Sequence, residues 1–340
     1  MEQKPLPGVI DTLSSGFQYI NRIWWILVLP FAVDLFLWRG PRIALPNEVV
    51  AAIQAALGQG AEAASTPVGS SASQPELAAL AAQLGDTNVL QLLTPSIGGV
   101  PTLAGALGPR GPLLDLTLGW ANLALVSLII LAAGVFIGCV YLGAIAQIVR
   151  DGRVDLALLA NKVGRYWLCL MGFFGLVLGA SLAFSVPVGL MAVLASAISG
   201  ALGSFVLAGG ILLGTVGVLA ATLYLFFVPE AVVISGVGPI KAAKNSANIV
   251  RRYPGPAIGL ILLVTVISAG MQQVWGAVSV TWSGGDATVE LLGGLAGILG
   301  NAYVASGLSA AAMVFYKSRM DAAAEKKHLT STEVGGGRGG

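Results

Sequence analysis

Charged residues are scarce in this chain. Asp, Glu, Lys and Arg make up 10% of the 340 residues, and 56% of the residues are hydrophobic. An average soluble domain carries roughly 25% charged residues, so the composition excludes that class and indicates an integral membrane protein. The net charge of only +2 gives no indication of a nucleic-acid partner.

Histidine and cysteine are almost absent as well. The one histidine, His328, leaves no basis for a histidine metal site or a catalytic triad. The two cysteines, Cys139 and Cys169, lie within apolar runs, where we expect reduced thiols rather than a disulfide. Walker and nucleophile-elbow motifs are also missing. The sequence therefore predicts a protein that is not an enzyme and that has no cofactor and no metal.

Six apolar runs predict an all-α polytopic membrane protein with about six transmembrane helices, since one span needs about 20 apolar residues. The first span is placed at 17–38, after a cytoplasmic N-terminus at 1–16. Residues 113–316 form a five-helix membrane domain, with spans at 121–149, 167–194, 205–228, 257–278 and 291–316. A charged tail follows at 317–340.

The segment 39–112 differs in composition from the rest. It is rich in Gly, Ala, Ser and Pro, and it has no aromatic residue. We expect an extracytoplasmic loop rather than an independently packed domain. Short amphipathic helices are predicted within it at Asn47–Leu57 and Pro75–Leu84.

The distribution of basic residues predicts the orientation. Lys and Arg cluster after the second, fourth and sixth spans, and only Arg39, Arg42 and Arg110 fall in the 39–112 loop. The positive-inside rule then places both termini in the cytoplasm of a bacterial-type inner membrane. Two cytoplasmic amphipathic helices are expected, at 154–166 and within 229–254. In the first, Leu156, Leu159 and Val163 are predicted to share one face.

An internal repeat is one interpretation of these two cytoplasmic segments. A shift of 84 positions places Gly152 on Gly236, Leu156 on Ile240 and Asn161 on Asn245. The alternative is that any two membrane hairpins share such a pattern. The identity is too weak to choose between the two.

The helix after Gly238 is the most basic element. Its predicted apolar face carries Ile240, Ala243, Ala247 and Val250, and its polar face carries Lys241, Lys244, Arg251 and Arg252. These four cations predict binding to anionic lipid headgroups or to a partner protein. Alternatively they serve only to anchor the topology.

Two carboxylates lie at the ends of predicted spans and are candidate proton- or cation-coupling groups. Glu230 follows Pro229 at the cytoplasmic end of span four, and it is also within reach of Lys241 or Lys244. Asp34 lies near the outer end of span one, where pairing with Arg39 or Arg42 is the alternative.

Small residues recur every four positions in span six. Gly293, Gly297, Asn301, Ala305 and Ser309 form one stripe, and Gly210 and Gly214 in span four are spaced alike. Such stripes allow helix backbones to approach closely. They predict packing within the chain, with dimerisation or a cavity lining as alternatives.

The run from Pro229 to Arg252 combines a Pro-Glu-Ala entry, a Gly-x-Gly-Pro turn, Ser246 and a closing basic pair. It resembles the membrane domain attached to some bacterial glycerophosphoryl diester phosphodiesterases and found in related uncharacterised multi-span proteins. The resemblance covers about 120–327. It implies the fold alone, because the phosphodiesterase chemistry of that family belongs to a separate soluble domain.

Taken together, the sequence predicts a structural, accessory or scaffolding membrane protein that contacts the lipid bilayer and either another membrane protein or a second copy of itself. The alternative is a small-molecule or lipid transporter with a cavity between the repeated helical hairpins.

Overall fold

The chain folds almost entirely into helices. The structure, a computed structural model, describes residues 6–46, 48–52, 55, 88–95, 98–108, 110–114, 119–282 and 286–336. The helices are α1 (Val9–Arg22), α2 (Val28–Arg39), α3 (Ala104–Leu107), α4 (Trp120–Asp151), α5 (Leu156–Ile198), α6 (Gly200–Leu225), α7 (Val228–Ser235), α8 (Pro239–Arg252), α9 (Pro254–Trp282) and α10 (Ala287–Gly336). Short 3-10 helices occur at Trp24–Leu27 and Val89–Leu93, and strand β1 (Arg42–Ile43) pairs in parallel with β2 (Leu113–Leu114).

Five stretches of helix in the described residues are long and apolar enough to cross a membrane. They are Trp120–Asp151, Leu156–Ile198, Gly200–Ser235, Pro254–Thr281 and Ala287–Glu325, and the number rises to six if the bent pair α1 and α2 counts as one span. The prediction of an all-α polytopic protein is confirmed. The chain is a multi-pass helical membrane protein.

The first predicted span is not one straight helix. The prediction placed it at 17–38, but α1 begins at Val9 and ends at Arg22, and the chain bends by 94° before it continues through Trp24–Arg39. Residues of α1 that are buried recur every four positions, at Thr12, Gly16 and Ile20. The prediction missed this amphipathic helix because residues 9–16 alternate apolar and polar side chains and form no continuous apolar run.

Helix α1 packs along α10 in the opposite direction. Arg319 donates from its guanidinium to the carbonyl oxygen of Pro7 at 2.9 Å, and Tyr303 donates to the Asn21 side chain at 3.0 Å. Between these ends Gly16 lies directly against the α10 backbone, where an added Cβ would be 2.6 Å from the amide nitrogen of Ala311. The absence of a side chain at Gly16 therefore sets the separation of the two helices.

Helix α5 is a single helix of 43 residues that includes the amphipathic segment predicted at 154–166. Leu159 and Val163 are buried as expected, but Leu156 is 68% exposed. The prediction for Leu156 was wrong because Leu156 is the first residue of α5. The packing of α5 against α4 starts about one turn later, where Leu159 faces Gly143 of α4.

Helices α6 and α7 are separated by a break at Phe226 and Phe227. Pro229 lacks an N–H and cannot donate to the carbonyl of Leu225, so the regular hydrogen bonding of α6 is interrupted here. After the break α7 lies in the centre of the protein, with all six residues from Val228 to Val233 buried. The Phe227 ring stacks on Phe315 of α10 with centroids 5.4 Å apart.

The turns at Gly152 and Gly236 have the same geometry, 84 positions apart. Each glycine has a positive φ, of 72° and 62°, and each donates its N–H to the carbonyl four residues earlier. A glycine of this geometry ends many helices, so the shared turn does not choose between a repeat and a similarity common to membrane hairpins. The two units then diverge, because α8 ends before Pro254 while α5 continues to Ile198.

Described parts of the 39–112 segment pack onto the membrane helices. Of the two predicted amphipathic helices, only residues 48–52 and 55 of the first are described and helical, and the second lies outside the described residues. The segment shares a second apolar core with α2, α4 and α10, which contains Leu37, Trp38, Ile43, Val49, Val89, Leu90, Leu103, Ala104, Leu107, Leu123 and Ile298. The described parts of the segment are thus packed against the membrane helices.

Candidate functional site

Asp34 is completely buried and surrounded by hydrogen-bond donors. Its carboxylate accepts from the Thr102 hydroxyl, from the backbone N–H of Leu103 at 2.9 Å and from the backbone N–H of Ala104 at 3.4 Å. The Asn301 side-chain amide of α10 completes the set at 3.4 Å. Asp34 therefore joins α2, the start of α3 and α10 through one side chain.

This arrangement caps the short helix α3 from outside. The first N–H groups of a helix have no partner within the helix, and a carboxylate is a strong acceptor for them. Without Asp34, the amides of Leu103 and Ala104 would be buried without this acceptor. The contacts make Asp34 an acceptor that holds this turn in place. Its predicted role in ion coupling stays a prediction.

The alternative pairing of Asp34 with Arg39 or Arg42 was wrong. Arg39 lies 3.4 Å from Glu290, and Arg110 contacts the same carboxylate at 2.8 Å. Arg42 donates to the Gly111 carbonyl at 3.0 Å. Asp34 instead faces α3 and α10, which the sequence could not indicate because Thr102 and Asn301 are distant along the chain.

Glu230 differs from Asp34 in its hydrogen bonding. It lies in the first turn of α7 and is 7% exposed, and its Oε2 atom is buried with no hydrogen-bond partner among the described residues. The predicted pairing with Lys241 or Lys244 is not seen in the described part of the chain, where both lysines are exposed on α8. Of the two predicted carboxylates, only Glu230 has a buried oxygen without a hydrogen-bond partner among the described residues.

Helix α8 is held in place by Ser246. Its hydroxyl accepts from the N–H of Phe227 at 3.1 Å and donates to the carbonyl of Tyr224 at 2.7 Å. These backbone groups lie at the break between α6 and α7, where regular helix bonding is interrupted. Ser246 thus satisfies polar groups that burial would otherwise leave unpaired.

The predicted faces of α8 need correction. The face that packs on the protein contains Ala242, Ser246 and Ile249, with Val250 beside it, whereas Ile240 is 60% exposed. The prediction sorted residues by polarity and so missed Ser246, whose hydroxyl is needed at the α6–α7 break. Helix α8 consequently has a second apolar surface that faces away from the core.

The four predicted cations of α8 do not act as one group. Lys244 and Arg251 line a groove of about 550 Å³ together with Asn248, Ile240, Ala243, Ala247 and Leu176 of α5. Lys241 and Arg252 are exposed on α8 and do not line this groove. The guanidinium of Arg251 lies 5.7 Å from the centroid of the Tyr224 ring.

The predicted small-residue stripes pack within the chain. An added Cβ at Gly297 would lie 3.1 Å from Trp275, and one at Gly210 would lie 2.2 Å from Val188. Asn301 of the same stripe contacts Asp34. Intramolecular packing is therefore confirmed at these positions.

In the part of the chain that the structure describes, no group of three or more His, Cys, Asp or Glu residues could hold a metal ion. Comparisons with protein-family models, with curated proteins and with solved structures return no match. The similarity of Pro229–Arg252 to the phosphodiesterase-associated membrane domain stays a prediction that rests on the sequence motif.

Proposed function

We propose that this chain is a non-enzymatic integral membrane protein with a structural, accessory or scaffolding role. The observation that carries the proposal is the unequal packing of its spans. In the most apolar 18-residue stretch of α10, 67% of the residues are buried, against none in that of α5. One part of the protein is a packed core, and another presents open helix surfaces.

The open surface belongs to the hairpin of α5 and α6. Small residues close its internal seam, where Gly203 faces Ser196 and Gly214 faces Phe184. Large apolar side chains are exposed on the outer faces, among them Leu178, Leu182, Val186, Leu190, Leu194, Ile198, Phe205, Ile211, Leu212, Val216 and Leu219. We propose that helices of another membrane protein pack on the part of this surface between Val186 and Leu219, beyond Leu178 and Leu182, because van der Waals packing drives the association of membrane helices.

Photo-crosslinking in native membranes tests the scaffold role. A photoreactive residue at Leu190 or Ile211 is expected to form a discrete adduct with a second protein. The same probe at Leu128, a comparably exposed apolar position on α4, is the control and is expected to give lipid adducts. Lipid adducts alone at Leu190 and Ile211 would contradict the proposal.

The transporter alternative is favoured by one observation, the unpartnered Oε2 atom of Glu230. A coupling carboxylate must exchange a proton or cation during transport. This alternative predicts that E230Q abolishes a proton-dependent flux in liposomes that contain the purified protein. An unchanged flux would remove Glu230 from the mechanism.

We propose further that both termini lie in the cytoplasm of a bacterial-type inner membrane. The contacts of two basic residues of α10 support this orientation. Lys317 donates to the Val149 carbonyl at 3.2 Å, and Arg319 donates to the Pro7 carbonyl. The basic part of α10, the end of α4 and the start of α1 therefore lie on the same side. A cysteine introduced at exposed Asp286 is expected to react with an impermeant thiol reagent from outside. Labelling only after permeabilisation would reverse the orientation.

A further inference from the structure

The groove between α8 and α5 has two chemically different parts. One wall is apolar and consists of Leu176, Ile240, Ala243 and Ala247. Leu176 and Ile240 are 48% and 60% exposed, so both present substantial apolar surface at the opening. The other wall carries Lys244, Asn248 and Arg251. A ligand that fits both walls must be amphiphilic.

The polar wall has the composition of a phosphate site. Lys244 and Arg251 are two helical turns apart on one side of α8, about 10 Å along the axis, a distance that their long side chains can close. The guanidinium offers paired N–H donors to phosphate oxygens, and the ammonium adds a mobile positive charge. Among the described residues that line the groove, none is acidic. An anionic headgroup is therefore attracted by Lys244 and Arg251, and no carboxylate in the groove repels it.

The apolar wall adjoins the lipid-facing part of the protein. Leu176 belongs to the stretch of α5 that also exposes Val177, Leu178 and Leu182. An acyl chain that leaves the groove past Leu176 would continue along this surface with its apolar area covered. A free phosphate ion would leave Leu176 and Ile240 uncovered.

We propose that this groove binds an anionic phospholipid, with the phosphate between Lys244 and Arg251, the Asn248 amide on headgroup oxygens, and an acyl chain against Leu176 and Ile240. The site takes two of the four cations that the sequence predicted and adds Leu176 from a different helix. It does not depend on the scaffold role, because a transporter with this groove would bind the same lipid.

The test uses the full-length protein in neutral detergent with fluorescent phosphatidylglycerol as the probe. The double variant K244Q/R251Q is expected to weaken binding at least tenfold. The control K241Q/R252Q also removes one lysine and one arginine charge from α8, but at positions outside the groove. Its binding affinity is expected to change by less than threefold. L176N is expected to weaken binding as well. All four side chains of α8 are exposed, and equal melting temperatures of the variants will show that folding is unaffected.

Competition identifies the ligand class. Unlabelled phosphatidylglycerol is expected to displace the probe, whereas phosphatidylcholine and inorganic phosphate are expected to displace it poorly. Equal losses in the two double variants would overturn the proposal in favour of general charge attraction. Efficient displacement by inorganic phosphate would indicate a soluble anion, and efficient displacement by phosphatidylcholine would show that the charge is not recognised. Either result would also overturn the proposal.

Discussion

Replacing Asp34 by alanine is expected to lower the free energy of unfolding by about 3–5 kcal/mol, since each buried donor left unsatisfied costs about 1–3 kcal/mol. The variant leaves the amide of Leu103 without its acceptor, whereas the amide of Ala104 keeps the Thr102 hydroxyl oxygen at 3.1 Å. It also removes the partner of Thr102 and Asn301. The connection between α2, α3 and α10 is lost in one substitution.

Thermal unfolding of the purified protein in detergent measures the effect of D34A. D321A is a suitable control because Asp321 is an exposed carboxylate on α10. Hydrogen exchange locates the change: the amide of Leu103 should exchange much faster in D34A than in the wild type, and the amide of Ala104, which keeps the Thr102 hydroxyl, should change less. A melting temperature within about 1 °C of the wild type, with both amides still protected, would show that Asp34 is not a structural cap.

Substituting leucine for Gly16 is expected to separate α1 from α10 and to destabilise the protein by about 3 kcal/mol, near the upper end of overpacking effects. A Cβ at this position would be 2.6 Å from both the Ala311 amide nitrogen and the Gly307 carbonyl oxygen. These are backbone atoms of a helix, so they cannot move aside as a flexible side chain can. The helix as a whole has to shift.

G270L provides the control for G16L. Gly270 lies within α9, and an added Cβ there would have no atom within 4 Å. Leucine is a better helix former than glycine, so G270L should be neutral or slightly stabilising. Limited proteolysis of α1 is the second readout, with faster cleavage expected in G16L. If G16L and G270L have the same melting temperature and the same resistance to protease, the close contact of α1 with α10 is incorrect.

The all-α membrane architecture could be predicted because long apolar runs leave few other folds available. The Pro229 break and the glycine turn at Gly236 could be predicted for similar reasons, since proline and positive-φ glycine impose local geometry. The bend after Arg22 was missed, because α1 is defined by its fit to α10 and not by its average hydropathy.

The sites were less predictable than the spans. Asp34 and Glu230 look alike in the sequence, as single carboxylates near span ends. Only tertiary contacts separate them, because the donors to Asp34 come from Thr102, Leu103, Ala104 and Asn301. Lys244 and Arg251 lie on the same side of α8, but the sequence could not show that Leu176 of another helix lines the same groove.

Helix α7 fills the interior of the part of the protein that the structure describes, where Val228 to Val233 are all buried. The most direct measurement is the reactivity of a cysteine at Ala231, which is 0% exposed, after Cys139 and Cys169 have been replaced. A small thiol reagent should label exposed A157C rapidly and leave A231C unlabelled, with or without a proton gradient. Labelling of A231C at a rate comparable to A157C would show that the interior opens to water, and it would contradict the account.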